Sequence, residues 1–168
     1  VILMQYLHST RKKRLFYSGK IEIPEGLEKH RSDIENNHGF VAYSDASWRS
    51  KMGTYSAYGY VVYLYGGVVS FAAKFLKVVA LSSAEAEYAA ASQTCREITF
   101  IRNVCDDLGV TLRGRLCIGV DNTAAISIIE NPGVTARNKH FDDSMHYIRS
   151  EYTHSRIRPV FVTTDKQR

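Results

Sequence analysis

The strongest hydrophobic pattern in the chain is helical and follows the stretch VALSSAEAEYAAASQTCREI, residues 79–98. Ser82 and Glu85 have the spacing of a capping box, which predicts a helix that begins at this pair. After Ala84, apolar side chains recur every three or four residues, the period of a helix that packs one face on a core. They are Tyr88, Ala91, Cys95, Ile98, Ile101, Cys105 and Leu108.

Two glutamates, Glu85 and Glu87, fall on different sides of this predicted helix, about 200° apart at about 100° per residue. Glu85 has a structural role as the capping carboxylate. On the helix pattern alone, Glu87 is interpreted as a solvent-exposed glutamate, since most helix glutamates lie in water.

Strand patterns precede the helix. In GFVAYSDAS, residues 39–47, the side chains alternate between two sides, which predicts a strand whose end carries Asp45. YGYVVYLYGGVVSFAAK, residues 58–74, predicts two strands joined by a tight turn at Gly66 and Gly67, because glycine tolerates the positive φ that such a turn needs.

The second half of the chain alternates between strands and helices. RLCIGVD, residues 115–121, predicts a strand that ends at Asp121. NTAAISIIE, at 122–130, and NKHFDDSMHYIRSEY, at 138–152, predict helices, and IRPVFVTT, at 157–164, predicts a last strand.

This order predicts an α/β fold with a mixed five-stranded sheet flanked by helices. Three antiparallel strands come first, and a helix-strand-helix-strand succession follows. Residues 1–20 are interpreted as a basic helix or helix end, and 22–39 as a polar connector without an apolar period. A domain boundary is therefore expected near residue 38.

Composition narrows the class of protein. With 168 residues, 45% of them hydrophobic and 23% charged, the chain is typical of one globular domain. The three cysteines show no metal-ligand or paired spacing, which indicates reduced core thiols and an intracellular location. No apolar stretch is long enough to predict a membrane span. The net charge of +5 is concentrated near both ends, which favours a polyanion partner or a solvated charged face.

The carboxylates at the strand ends suggest chemistry. Asp45 and Asp121 each end a predicted strand, and Glu87 lies in the first turns of the intervening helix. Three carboxylates at one edge of a sheet would repel each other unless a divalent cation neutralised them. Oxygen ligands select Mg²⁺ or Mn²⁺, and a pair of such ions supports phosphodiester hydrolysis.

Five ordered motifs, YSDASW, GYVVYLYGG, VALSSAEAEY, VDNTAAI and ARNKHFDDSMHYIR, resemble the ribonuclease H domain of copia-type (Ty1-like) LTR retrotransposon Pol polyproteins. The resemblance implies a ribonuclease H-like fold that hydrolyses the RNA strand of RNA–DNA hybrids with two Mg²⁺ or Mn²⁺ ions during reverse transcription. The opening YLHSTRKKRLFYSG resembles a reverse transcriptase tail. Residues 1–38 are then tail and connector, and 39–168 the ribonuclease H-like domain.

By this resemblance, Asp45, Glu87 and Asp121 fall on the three catalytic, metal-binding carboxylates of the family. The interpretation of Glu87 thus changes from a solvent-exposed residue to a metal ligand. The family pattern continues with an Ala-Asp pair that this sequence lacks after Arg168, so the domain is expected to be truncated at its C-terminus. Asp142 in KHFDD is the nearest substitute for this fourth carboxylate, or else a charge on the helix surface.

Substrate contacts are predicted for Lys74 and Asn122, which would bind the nucleic-acid backbone. Trp48 is interpreted as a packing residue rather than a platform on which a base stacks. The expected partners are an RNA–DNA hybrid and the rest of the Pol polyprotein, in a cytoplasmic virus-like particle or the nucleus, without a membrane.

Two departures from the family pattern replace polar groups: Ala57 and Tyr58 after the first strand, and Phe75 and Leu76 before the long helix. They suggest an alternative function, a catalytically inactive domain that binds nucleic acid or protein. A DNA nuclease or integrase-like enzyme on the same fold is disfavoured, because the AEY helix lies between the two aspartates.

Overall fold

The computed structural model describes residues 8–10, 12–13, 15, 17–48, 55–131 and 143–163, without the side chains of 143–146. A short 3-10 turn, Glu28–His30, leads into the first helix. The helices and strands are α1 (Arg31–Asn36), β1 (Val41–Ser47), β2 (Ala57–Leu64), β3 (Gly67–Phe75), α2 (Ser83–Asp107), β4 (Leu116–Val120), α3 (Thr123–Glu130), α4 (Asp143–Thr153) and β5 (Ile157–Phe161).

The sheet has the strand order β3-β2-β1-β4-β5. β1 pairs antiparallel with β2, and β2 antiparallel with β3, whereas β1–β4 and β4–β5 are parallel. The predicted mixed five-stranded α/β sheet is confirmed. The turn between β2 and β3 lies one residue earlier than predicted, at Tyr65 and Gly66 with φ of 51° and 71°, and Gly67 already begins β3. Two positive φ angles fit the right-handed twist of a hairpin.

α2 is the longest helix, with 25 residues, and its apolar stripe faces the sheet as predicted. Tyr88, Ala91 and Cys95 are fully buried in the core. Leu108 differs from the prediction, since it lies past the helix end and is 74% exposed. Gly109 follows it with a φ of 76°, the left-handed conformation that commonly ends helices.

The two faces of the sheet carry separate hydrophobic clusters. The helical face is covered by α2, α3 and α4, and its core includes Leu116, Ile118 and Val120 of β4. The opposite face holds a smaller cluster. Its buried members are Leu27, Ile34, Val41, Tyr43, Cys117, Val160 and Val162.

Residues 22–39 are thus more ordered than the connector that the sequence predicted. Leu27 and Ile34 have no exposed surface and pack against β1, β4 and β5. The segment contains α1 and contributes Leu27 and Ile34 to the sheet's second core, while the domain boundary expected near residue 38 stays a prediction.

Two further expectations concern the cysteines and the membrane. All three cysteines are buried free thiols, as predicted. None of the helices within the described ranges is long and apolar enough to cross a membrane.

Candidate active site

The topology brings three carboxylates together at one edge of the sheet. Ser44 of β1 lies opposite Val120 of the parallel strand β4, so the next residues, Asp45 and Asp121, emerge side by side. α2 packs across β1 and adds Glu87. One carboxylate oxygen of each residue lies within 4.8 Å of those of the other two.

Glu87 is the most buried member of this cluster, with 4% of its surface exposed. Its Oε1 accepts a hydrogen bond of 2.9 Å from the Ala46 N–H. Its Oε2 is buried and has no hydrogen-bond partner among the described residues. Burial raises the pKa of Glu87 to about 8; the Ala46 N–H opposes this shift, whereas the charges of Asp121 and Asp45 add to it.

Asp45 lies at the more open side of the cluster. Partial burial of its carboxyl raises its pKa, and the charge of Asp121 acts in the same direction, while the Ala46 N–H partly offsets both. Like charges at this spacing and a buried oxygen without a partner describe a site that a cation would complete. Three carboxylates are hard oxygen ligands, so the residues fit Mg²⁺ or Mn²⁺.

Glu85 is held away from this cluster by the start of α2. Its Oε2 accepts a 2.7 Å hydrogen bond from the Leu81 N–H, and its own N–H donates to Ser82 Oγ at 3.2 Å. The reciprocal bond of the predicted capping box therefore goes to Leu81 rather than to Ser82. The two glutamates of the AEAEY run have separate surroundings, one at the helix cap and one beside Asp45 and Asp121.

The other predicted site residues lie in less decisive places. Asn122 caps α3: its Oδ1 accepts hydrogen bonds from the N–H groups of Ala124 and Ala125 at 3.0 and 3.1 Å. Lys74 is exposed on the edge strand β3. Their proposed contacts with nucleic acid stay predictions. Asp142 lies outside the described residues.

The departures from the family pattern have different surroundings. Leu76 is 2% exposed and packs in the helical core. Phe75 is 60% exposed, whereas Tyr58 is half-buried against the helical core. Of the two positions before the long helix, 75 is therefore at the surface and 76 is in the core.

Trp48 connects the two segments that position Asp45 and Glu87. Its indole N–H donates a 3.0 Å hydrogen bond to the Ala80 carbonyl, in the loop before α2, and its surface is 38% exposed. The residue therefore anchors this loop, beyond the packing role predicted from the sequence.

Three arginines in the last part of the described chain take part in ion pairs or hydrogen bonds, which the composition did not indicate. Arg156 pairs with Glu151 at 2.8 Å, and Arg158 pairs with Asp33 at 2.9 Å. Arg149 donates to a helix carbonyl. Sequence reasoning counted these arginines as surface charge, because no pattern in the sequence distinguishes a paired arginine from a solvated one.

Known proteins resemble this chain along almost its whole length. The retrovirus-related Pol polyprotein from transposon RE1 of Arabidopsis thaliana is 36% identical over 98% of this chain. This chain belongs to the copia-type retrotransposon Pol family. The Pol polyprotein from transposon TNT 1-94 of Nicotiana tabacum is 27% identical, again over 98% of the chain. This Pol chain spans 12% of the first relative and 11% of the second.

Family models and solved structures were also compared with this Pol chain. No family model matches it. The foamy viral protease-reverse transcriptase, solved in complex with an RNA/DNA hybrid, superposes with a TM-score of 0.51 and 15% identity, over 77% of this chain and 18% of that chain. At this identity the likeness concerns the fold alone. The ribonuclease H-like fold predicted from the motifs is confirmed.

Proposed function

We propose that this chain is a metal-dependent ribonuclease H, which hydrolyses the RNA strand of RNA–DNA hybrids during retrotransposon reverse transcription. The observation that carries the proposal is the convergence of Asp45, Glu87 and Asp121, whose oxygens lie within 4.8 Å of one another. The Pol relatives support this function. So does the related fold of a reverse transcriptase that was solved with an RNA/DNA hybrid.

In this proposal, Asp45, Glu87 and Asp121 hold two Mg²⁺ or Mn²⁺ ions. Bound there, the ions would supply an activated water and stabilise the leaving oxygen of the phosphodiester. The Ala46 N–H fixes the orientation of the Glu87 carboxylate. Because burial raises the pKa of Glu87 to about 8, this residue would give up a proton on becoming a ligand.

The substrate would be held through its shape, its phosphates and its 2′-hydroxyl groups rather than through its base sequence. Lys74, exposed on the edge strand, is proposed to contact the phosphate backbone. Asn122 would act through the start of α3, since its side chain already caps that helix. The remaining Pol polyprotein is the proposed protein partner.

The proposal is tested with a labelled RNA–DNA hybrid and the purified chain in Mg²⁺ or Mn²⁺. We expect slow cutting of the RNA strand, and Asp45→Asn or Asp121→Asn should abolish it while the protein stays folded. Asp107→Asn, at the exposed end of α2, is the matched control and should cut like the wild type. Asp142→Asn in the same assay tests the fourth carboxylate.

The alternative function, a domain that binds without cleaving, makes a different prediction. Such a protein would bind the hybrid, with an affinity that falls steeply as salt rises, yet leave the RNA uncut with either ion. That result would overturn the catalytic proposal. The three intact carboxylates favour the enzyme over this alternative.

A further inference from the structure

Arg149 of α4 contacts two other helices at once. Its Nε donates a 3.0 Å hydrogen bond to the Ile128 carbonyl in α3. Its guanidinium carbon lies 5.4 Å from the centre of the Tyr88 ring in α2, within the range of a cation–π interaction. Tyr88 has no exposed surface, so this contact is formed inside the helical core.

Both helices adjoin the acidic cluster, whose aspartates are carried by β1 and by the end of β4. Tyr88 directly follows Glu87 in α2, and α3 begins two residues after Asp121. A movement of α3 relative to α2 would therefore change the separation between Asp121 and Glu87. Arg149 donates a hydrogen bond to α3 and packs on α2, which limits that movement.

We propose that Arg149 is a positioning residue that holds α3 against α2 and thereby keeps Asp121 and Glu87 close enough to share a metal ion. This inference rests on the proposed metal-dependent function. Arg149 reaches the cluster through Tyr88 and Ile128, so it acts through other residues and not on the substrate. An arginine suits this role because its planar group can donate from one edge while its face covers a ring.

The chain offers a matched control in Arg102. This arginine belongs to α2, is likewise half-buried, and donates from Nη2 to a main-chain carbonyl, that of Arg156, at 2.8 Å. Each of the two arginines leaves one buried guanidinium nitrogen without a partner among the described residues. Arg102 lies 15 residues after Glu87 along α2, about 22 Å at about 1.5 Å per residue.

The experiment measures the Mn²⁺ dissociation constant, from the electron paramagnetic resonance of free Mn²⁺, and the thermal midpoint of the full chain. Arg149→Met keeps the aliphatic volume but removes the hydrogen bond and the cation. We expect it to weaken Mn²⁺ binding by about 10-fold or more, the size of effect that residues orienting metal ligands usually have. Arg102→Met should lower the thermal midpoint similarly but leave Mn²⁺ affinity unchanged.

Equal Mn²⁺ affinity of Arg149→Met and the wild type would overturn the inference, and so would an equal loss of affinity in both variants. If Arg149→Met does not fold, Arg149→Lys is compared with Arg102→Lys. Lysine keeps the charge but cannot bond to Ile128 and cover Tyr88 together, so we expect a partial loss at position 149 only. Wild-type affinity in Arg149→Lys would contradict the proposal.

The same measurement separates a failure of this inference from a failure of the proposed function. Asp45→Asn should reduce Mn²⁺ binding strongly if the acidic cluster is the metal centre. If the wild type binds no Mn²⁺, or Asp45→Asn binds it equally well, the metal centre itself is refuted. If only the Arg149 variants behave like the wild type, the metal centre stands and the positioning role is refuted.

Discussion

The two faces of the sheet carry different kinds of side chains, with an acidic cluster at the edge of one and an apolar cluster on the other. The helical face is covered by the helices α2, α3 and α4, and at its edge Asp45, Glu87 and Asp121 lie together. Because like charges this close repel each other, we expect the cluster to destabilise the protein without a cation. The opposite face is covered by a short segment around Leu27 and Ile34, which pack there in an apolar cluster. One side of the sheet thus carries a cluster of like charges, and the other carries an apolar layer. We call the segment around Leu27 and Ile34 that forms this layer the support.

Hydrogen bonds and an ion pair also attach the support to the sheet. Asn37 is fully buried; its Nδ2 donates to the carbonyls of Asp33 and Arg115 at 2.8 and 3.0 Å, and its Oδ1 accepts from the Gly114 N–H at 2.9 Å. Arg158 of β5 adds an ion pair with Asp33. The Asn37 bonds fix the end of α1 to the loop that enters β4, the strand after which Asp121 follows, and the ion pair fixes α1 to β5.

The largest expected effect comes from breaking the support. Replacing Leu27 and Ile34 by Ala leaves two cavities where no surface was exposed, at about 2–5 kcal/mol each. The double variant should therefore unfold or lose most of a stability of about 5–15 kcal/mol, measured by urea denaturation. Val69→Ala, 45% exposed on β3, is the control and should change little.

The same variant tests the predicted boundary near residue 38. If residues 22–37 were a detachable connector, the double variant would be as stable as the wild type. Wild-type stability would show that the contacts of Leu27 and Ile34 do not support the sheet in solution.

A smaller effect of opposite sign is expected on the helical face, from Glu87→Gln. Glu87 has an ordinary pKa of 4.5 and a folded pKa of about 8, so the unfolded chain loses this proton first as the pH rises. Stability is unaffected below pH 4.5, falls between 4.5 and about 8, and then levels off. An uncharged glutamine at this position removes the loss, so the variant should be more stable by roughly 2–4 kcal/mol at pH 8 in a chelator.

Urea denaturation at pH 4.5 and pH 8 measures this difference. The two proteins should have similar stability at the lower pH and diverge at the higher one. Added Mn²⁺ should reverse the order, because the ion stabilises only the protein that keeps its ligand. A constant difference at both pH values would show that burial does not shift the titration of Glu87.

The polar attachment of the support gives the next effect. Asn37→Ala leaves the partly buried Gly114 N–H and Arg115 carbonyl without their partner, which should lower the free energy of unfolding by roughly 2 kcal/mol. Asn36→Ala, at the neighbouring exposed position, is the control. Equal stability of the two variants would mean that water replaces the lost bonds.

The helical face could be predicted from the sequence far better than the support. The apolar stripe of α2 and the alternation in β1 and β4 are long, so their periods are clear. Asp121 follows the end of β4 as predicted, whereas β1 continues two residues past Asp45, to Ser47. Glu87 was different: the helix pattern favours a solvated residue there, and the family resemblance decided for a metal ligand. Its burial depends on how α2 crosses β1, which a one-dimensional pattern does not contain.

The burial of Leu27 and Ile34 in the support could not be predicted from the sequence, for a physical reason. Between residues 22 and 39 the only aliphatic side chains larger than alanine are Ile23, Leu27 and Ile34 in a polar run, too few to define a period. Their burial results from contacts with β1 and with strands more than 75 residues later in the chain, such as the one around Cys117. The contacts of Arg149 could not be predicted either, because its partners lie in two other helices.

The smallest effect should come from the cap that separates the two glutamates. Ser82 Oγ accepts the Glu85 N–H at the start of α2, and its replacement by Ala should lower the free energy of unfolding by about 1 kcal/mol. Ser83→Ala, one residue later and exposed, is the control and should be nearly neutral. Since Glu85 still accepts from the Leu81 N–H, the first turn should persist, and Glu87 should keep its bond to Ala46. Ser82→Ala should therefore retain wild-type Mn²⁺ affinity despite its lower stability, and a loss of affinity would show that the cap also positions the metal ligand.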